Sequence, residues 1–204
     1  MRCLAFPVLK RSAMLVLPLT LALPPSAGGY VVISEVCYDP EDEYAEWVEL
    51  FNPGPSEVNL KDYALRDNQW EWVITDEDHI LPPGGVVVIA KEAGAFESEF
   101  GFLPEFWGFT FKLSNTGDKL WLLDPGGNKV DFVAWEGYGW DLVADEGESI
   151  QRWSLGRGPA FWLSHRAPNP GDPAPIPEPG TLLMAALGVA AALLFKANFK
   201  GRGC

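Results

Sequence analysis

The densest cluster of side chains that could bind a metal ion lies in one short acidic stretch. Its carboxylates are Asp39, Glu41, Asp42 and Glu43. Carboxylate oxygens crowded on a loop are the ligands that Ca²⁺ prefers in proteins. The spacing is not that of an EF-hand, because the sixth position from Asp39 holds Tyr44 and the twelfth holds Leu50. Two interpretations remain: a solvated acidic loop, which is the commoner use of such a pattern, and a calcium site.

Catalytic motifs are harder to find in this sequence. Its two histidines, His79 and His165, are not part of H-E-x-x-H or another metal-ligand spacing. The sequence also has no G-x-S-x-G elbow, P-loop or paired cysteine motif. We therefore expect a protein that is not an enzyme and that needs no cofactor, apart from the calcium ion considered above. The alternative is a catalytic or accessory module of an extracellular hydrolase, whose paired carboxylates a sequence does not reveal.

Aromatic residues in glycine-rich loops are the third group that could contact a ligand. Three of them, Trp107, Tyr138 and Trp140, lie in the stretches FWGF and EGYGWD. Exposed aromatic side chains beside acidic and amide groups commonly form ligand or protein contact surfaces. We predict a binding surface at these three residues. The alternative is that they cap the ends of the fold.

Charge is distributed very unevenly along the chain. The 15 basic and 28 acidic residues give a formal net charge of −13. Three basic residues lie near each end, whereas every acidic residue lies between Glu35 and Glu178, so that nine basic and 28 acidic residues give this body a net charge of −19. A body this acidic repels a phosphate backbone, so we expect no nucleic-acid partner. Solubility is the simplest reason for the charge, and cations or basic partners are the alternative.

The first 28 residues have the features of a secretory signal peptide. Lys10 and Arg11 close a basic region, residues 12–23 are apolar, and small residues follow a Pro-Pro break. The apolar run is too short to span a membrane comfortably. We predict cleavage near Ala27 or Gly28, with an uncleaved anchor as the alternative.

The last 28 residues combine three elements in a fixed order. Pro177, Glu178, Pro179 and Gly180 come first, an apolar run at 180–195 follows, and a basic tail contains Lys196, Lys200 and Arg202. As a helix the apolar run would be about 24 Å long, close to the ~30 Å core of a bilayer. We predict a single transmembrane helix at 180–195 with its basic tail in the cytoplasm. The proline-rich residues 167–176 are predicted to be an extended linker.

This order resembles the PEP-CTERM sorting signal of Gram-negative bacteria, over residues 177–204. The resemblance implies that a membrane-embedded sorting peptidase of the exosortase type cuts near Pro177–Gly180. The tail differs from the usual arginine cluster, since it reads FKANFKGRGC. The protein would be anchored in the membrane before processing, and whether the helix is then retained or removed stays open.

Between the two ends, residues 29–166 read as a series of short strands. As a strand, EWVELF places Trp47, Glu49 and Phe51 opposite Glu46, Val48 and Leu50. VVVIA is continuously apolar, and Asp124-Pro-Gly-Gly-Asn joins the runs KLWLLD and KVDFVAW at hairpin spacing. Only residues 92–100 favour a helix, with Phe96 and Phe100 four positions apart. Short strands at regular intervals predict an all-β sandwich or barrel.

The same residues resemble the lamin-tail domain of bacterial secreted proteins. Seven blocks occur in the family's order: ISEVCYDP, EWVELFNPG, VNLKDYALRD, ILPPGGVVVIA, LSNTGDKLWLLDPGGNKVDFVAW, ESIQRW and APNPG. They extend from Tyr30 to Gly171, and the loops at 67–78 and 102–111 depart from the pattern. The resemblance implies an immunoglobulin-like β-sandwich and supplies no catalytic residue.

Together these patterns predict a secreted or cell-surface, non-enzymatic β-sandwich with a binding or structural role in the envelope or extracellular matrix. Its expected partners are the sorting peptidase, the membrane through the C-terminal helix, and a surface protein or polysaccharide. A calcium-stabilised adhesion module is a further alternative.

Overall fold

A computed structural model describes residues 29–172, in which two β-sheets pack face to face. The all-β sandwich predicted from the sequence is confirmed. The predicted signal peptide, the sorting motif and the predicted membrane helix at 180–195 lie outside the described residues. Within residues 29–172, no helix combines the length and the apolar character needed to cross a membrane.

Most of the strands are short. They are β1 (Val32–Asp39), β2 (Trp47–Phe51), β3 (Val58–Asn59), β4 (Ala64–Arg66), β5 (Glu71–Val73), β6 (Ile80–Leu81), β7 (Val86–Ala90), β8 (Phe106–Trp107), β9 (Asp118–Leu123), β10 (Lys129–Trp135), β11 (Glu148–Arg152) and β12 (Trp162–Arg166). The α-helix α1 spans Ala93–Phe100, and a single 3-10 turn spans Pro159–Phe161.

Six strands form the larger sheet, in the order β12-β11-β1-β2-β7-β8. Four form the smaller sheet, in the order β10-β9-β4-β5, and β3 pairs with β6 beside them. Every pairing is antiparallel except that of β7 with β8. Antiparallel sheets packed face to face bury one face of each sheet in a shared core.

The core between the sheets is apolar and aromatic. Its central members are Ile33, Val48, Leu50, Ile89 and Ile150 from the larger sheet and Leu120, Leu122, Val133 and Trp135 from the smaller one. The ring of Tyr38 stacks on that of Trp135 at 5.1 Å between centroids. A buried ion pair also links the sheets, because Arg152 lies 2.6 Å from Asp131, which also accepts a hydrogen bond from the backbone N–H of Ile33.

A bulge in β1 keeps its apolar residues on the core side. Ile33 pairs with Leu50 and Glu35 pairs with Glu49, so Ser34 is the extra residue. Without the bulge, alternation would place Ile33 and Val36 on opposite faces. With it, both contribute to the core and Glu35 points to the outer face of the sheet.

Strand β2 is buried on both faces, whereas its alternating sequence suggests one buried set. Val48 and Leu50 face the other sheet, and Trp47 packs beneath α1 against Phe96 and Phe100, with ring centroids 6.2 and 5.8 Å apart. Both faces of β2 are buried because the strand lies in the middle of the larger sheet and α1 covers its outer face.

The hairpin predicted between β9 and β10 forms as expected. Asp124 and Asn128 close it through a backbone hydrogen bond of 2.9 Å, and Gly127 adopts a φ of 76° that favours glycine. The Asp124 carboxylate accepts hydrogen bonds from the backbone N–H groups of Gly126 and Asn128. This turn fixes the register of the two strands that carry the candidate site.

Candidate binding surface

The outer face of the smaller sheet carries a group of aromatic side chains. In β9, Leu120 and Leu122 point into the core, so alternation directs Lys119 and Trp121 outward. In β10, Val133 and Trp135 point inward and Phe132 points outward, directly opposite Trp121. We call Trp121, Phe132 and Trp140, with Tyr138 at their border, the aromatic face.

The rings of this face touch one another in a continuous series. Trp121 and Phe132 have centroids 5.5 Å apart with planes inclined by 38°, and Phe132 meets Trp140 edge-on at 5.2 Å. All three rings are half-buried. Since each ring packs against the next, their orientations are fixed before any ligand arrives.

Cationic side chains border the same rings. The Lys129 ammonium lies 4.3 Å from the centroid of Trp121, and Lys119 lies 5.0 Å from Trp121 and 5.3 Å from Tyr138. Within residues 29–172, no ion pair engages Lys119, Lys129 or Arg157. These charges are therefore available to a ligand, although the body as a whole is acidic.

A cleft of about 280 Å³ opens between the rings. Its walls include Trp121, Phe132 and Trp140, together with Lys129 and Arg157. Asp131 also lines the cleft, but its carboxylate is held by the buried guanidinium of Arg152. The cleft therefore combines flat apolar walls with a net excess of positive charge.

The loop after β10 places two of the three aromatic residues predicted from the sequence. A turn joins Gly137 to Trp140 by a backbone hydrogen bond of 3.0 Å, and it leaves Tyr138 49 % exposed. Trp107 lies elsewhere, on edge strand β8 of the larger sheet, where it is 56 % exposed and lines a separate depression. The three residues therefore do not form one surface.

Sequence reasoning missed the residues at the centre of the face, Trp121, Phe132, Lys119 and Lys129. KLWLLD and KVDFVAW each show one or two outward-facing aromatic or basic residues, and only the pairing of the two strands brings them into one group. Pairing the two strands across the Asp124–Asn128 turn and reading alternate positions would have placed Trp121 beside Phe132.

The acidic stretch predicted as a possible calcium site does not converge on one point. Asp39 accepts a hydrogen bond from the side chain of Asn115, Asp42 accepts one from the backbone of Tyr44, and Glu43 lies 4.0 Å from Lys112. Glu41 lies near Gly147. Nothing in these contacts favours calcium over the solvated loop.

Another group does converge within residues 29–172, namely Asp145, Glu148 and His165, whose ligand atoms lie within 4.8 Å of one another. His165 Nδ1 lies 2.7 Å from Glu148 and 3.5 Å from Asp145. Glu148 also accepts the backbone N–H of Asp145, and both contacts hold the pKa of its carboxyl below the usual range. Asp145 and His165 are exposed and Glu148 is half-buried, and the group's hydrogen bonds are made among its own members, so these contacts account for the cluster without a metal.

Two buried carboxyl groups lie on the outer face of the larger sheet. Glu35 and Glu49 pair across β1 and β2 and are only 1 % and 0 % exposed. Ser149 donates to Glu35 at 2.6 Å, and Ser34 donates to Glu49 at 2.7 Å. Burial raises the pKa of both carboxyls to about 7, and these hydrogen bonds only partly offset it.

Residues 167–172, which we call the closing segment, cover these carboxyls. The backbone N–H of Gly171 donates to Glu49 at 2.8 Å, and that of Asn169 donates to Glu35 at 3.2 Å. Gln151 adds hydrogen bonds to Ala167 and to Asn169. The packed domain therefore extends to residue 172, although the sequence suggested that a linker begins at 167.

Comparison with known families agrees with this architecture. The family model described as Lamin Tail Domain matches residues 24–137, and the one described as PEP-CTERM protein-sorting motif matches residues 175–197. The chain belongs to the lamin tail domain family. A comparison with curated proteins gives no match.

The sorting motif indicates where the protein operates. A PEP-CTERM motif points to export, to processing by an exosortase-type system, and to association with the cell envelope. The lamin tail domain is the part that this signal delivers, and it carries the aromatic face.

Proposed function

We propose that the chain is an exported, non-enzymatic module that binds a component of the envelope or extracellular matrix through the aromatic face. The observation that carries the proposal is the coincidence of fixed rings, a cleft and unpaired cations on the open face of the smaller sheet. Aromatic and arginine side chains are common contacts in binding sites, and these half-buried rings keep one side open to a ligand.

Loss of the C-terminal helix on processing would leave this face as the means of attachment. Retention of the helix would place the face near the membrane surface. In either state the binding role is the same, because the face belongs to the folded domain and not to the sorting signal.

A mutant series on the full-length chain tests the proposal. The purified protein is mixed with envelope material from its host and sedimented, and Trp121→Ala with Phe132→Ala is compared with Trp107→Ala as the matched control. We expect the double variant to lose sedimentation with the envelope while Trp107→Ala keeps it. Equal sedimentation of the two variants would contradict the proposal.

A hydrolase is the second candidate, because Glu35 and Glu49 form a carboxyl pair with a raised pKa. Such pairs occur at catalytic sites. Here the closing segment buries both groups, so a substrate does not reach them in this conformation. Release of reducing sugar from host polysaccharide by the wild type, abolished in Glu49→Gln, would favour the hydrolase instead.

A further inference from the structure

We infer that the ligand of the aromatic face is an anionic polysaccharide, one whose sugar rings carry carboxylate or sulfate groups. This inference rests on the proposed function, since it names the ligand of the same surface. Two features of the surface support the inference. The aromatic rings can pack against a sugar ring, and the basic side chains can pair with its negative charge.

The rings offer flat apolar surface at the scale of a sugar ring. Trp121 and Phe132 are neighbours on adjacent strands, and Trp140 closes one side of the cleft. A pyranose has an apolar face of C–H groups that packs on an aromatic ring, while its hydroxyl groups remain in water. Because the rings are already fixed by mutual contact, little ordering is needed when a sugar binds.

The cations distinguish a charged sugar from a neutral one. Lys119 and Lys129 both lie over the Trp121 ring, within 5.0 Å of its centre. A sugar that takes their place on the ring would leave the two ammonium groups at its edge, within reach of its carboxylate or sulfate groups. Arg157 lies in the wall of the same cleft and can bind a carboxylate or sulfate through two N–H groups.

Basic charge on this face contrasts with the remainder of the domain. Arg66 extends the row, since it lies directly opposite Trp121 on β4 and is 4.0 Å from Glu71. Four of the nine basic residues of the body thus lie on or beside the aromatic face. The body as a whole has a net charge of −19. An anionic ligand is therefore attracted to this group of basic residues only while it stays on this face, since the remaining surface repels it.

Single-stranded nucleic acid is the competing ligand, because it also combines stacking rings with regular negative charge. The surrounding acidic surface disfavours it, since a phosphate chain carries charge at every unit and would extend beyond the basic face. A polysaccharide with sparser charge avoids that repulsion.

The experiment measures binding of the full-length protein, in mild detergent, to polygalacturonate and to its methyl ester. The ester keeps the sugar chain and removes its charge, so it is a matched control. We expect polygalacturonate to bind at least about tenfold more tightly than the ester, and we expect the preference to fall as salt is raised. The double variant Lys119→Ala with Lys129→Ala should bind polygalacturonate and its ester equally. Trp121→Ala should weaken binding of both polysaccharides by about tenfold.

The outcomes separate the two proposals. Equal binding to polygalacturonate and its ester, or no binding to either while envelope material is still bound through Trp121, would overturn the inference and leave the proposed function standing. Tighter binding to a single-stranded oligonucleotide than to polygalacturonate would also overturn it. If every variant still binds envelope material as the wild type does, the proposed function itself is overturned.

Discussion

The outer faces of the two sheets differ in what covers them. On the larger sheet, α1 covers Trp47 and the closing segment covers Glu35 and Glu49, so this face becomes a second buried layer. On the smaller sheet, Trp121 and Phe132 remain open to solvent on one side. Trp47 therefore has a structural role on the larger sheet, and Trp121 has a predicted binding role on the smaller one. The difference is that α1 covers Trp47, whereas no helix or segment covers Trp121 within residues 29–172.

The largest expected effect is the difference in unfolding free energy between alanine variants of Trp47 and Trp121. Trp47→Ala empties a site beneath α1 and should lower the free energy of unfolding by about 3–5 kcal/mol. Trp121→Ala removes a half-exposed ring and should cost about 1 kcal/mol or less. Urea unfolding of both variants at one pH measures the difference. Similar costs for the two substitutions would remove the distinction between the faces.

The buried carboxyls predict a pH dependence that belongs to the covered face. Burial raises the pKa of Glu35 and Glu49 from 4.5 to about 7, so the folded protein holds their protons more tightly than the unfolded chain. Their stabilisation is complete below the unfolded pKa of 4.5 and is lost as pH rises through 7. For the two carboxyls together, the free energy of unfolding should fall by about 5 kcal/mol between pH 5 and pH 8.

Urea unfolding across that range checks this sign, with Glu35→Gln as the test variant. In this variant the free energy of unfolding should fall with pH about half as steeply as in the wild type, because one of the two titrating carboxyls is removed. Glu97→Gln, an exposed glutamate on α1, should keep the full slope. Stability that rises with pH in the wild type would contradict the assignment of these carboxyls.

A smaller effect concerns the closing segment itself. Glu49→Ala removes the acceptor of the Gly171 N–H and should increase hydrogen exchange at that amide by about tenfold, the equivalent of one lost hydrogen bond. Exchange in the β9–β10 hairpin should not change. If the Gly171 amide exchanges equally fast in both proteins, the segment is not held by Glu49.

The smallest expected effect concerns calcium on the acidic loop. Since Asp39, Asp42 and Glu43 have separate partners, millimolar Ca²⁺ should move the melting temperature by less than about 1 °C. Thermal unfolding with Ca²⁺ and with a chelator measures it. A shift of several degrees that disappears in Asp42→Asn would show that calcium binds this loop.

Local patterns were sufficient to predict several strands and one turn. KVDFVAW coincides with β10, which carries part of the aromatic face, and the Asp124–Asn128 turn forms as its glycine and asparagine predict. In the larger sheet, VVVIA coincides with β7. Strands of two residues, such as β3 and β8, carry too few positions for any periodicity to appear. Their existence depends on the neighbouring strands with which they pair.

The buried carboxyls could not have been predicted from local sequence. Alternation in EWVELF places Glu49 on the same face as Trp47 and Phe51, and nothing local shows what covers that face. Glu49 is buried with the help of contacts that are distant in the chain, such as the hydrogen bond from the Gly171 N–H, 122 positions away. The same limit explains the misplaced grouping of Trp107 with Tyr138 and Trp140. All three lie in glycine-rich stretches of sequence, but Trp107 belongs to edge strand β8 of the larger sheet, whereas Tyr138 and Trp140 lie in the loop after β10 of the smaller sheet.

The most direct test of the difference between the two faces is a paired measurement on Trp121→Ala, which removes a half-buried tryptophan, and Trp107→Ala, which removes an exposed one. Sedimentation with host envelope material and urea unfolding would be measured on the same preparations. We predict that Trp121→Ala loses sedimentation while its free energy of unfolding stays within about 1 kcal/mol of the wild type, and that Trp107→Ala changes neither. Wild-type sedimentation of Trp121→Ala would contradict a binding role for the aromatic face.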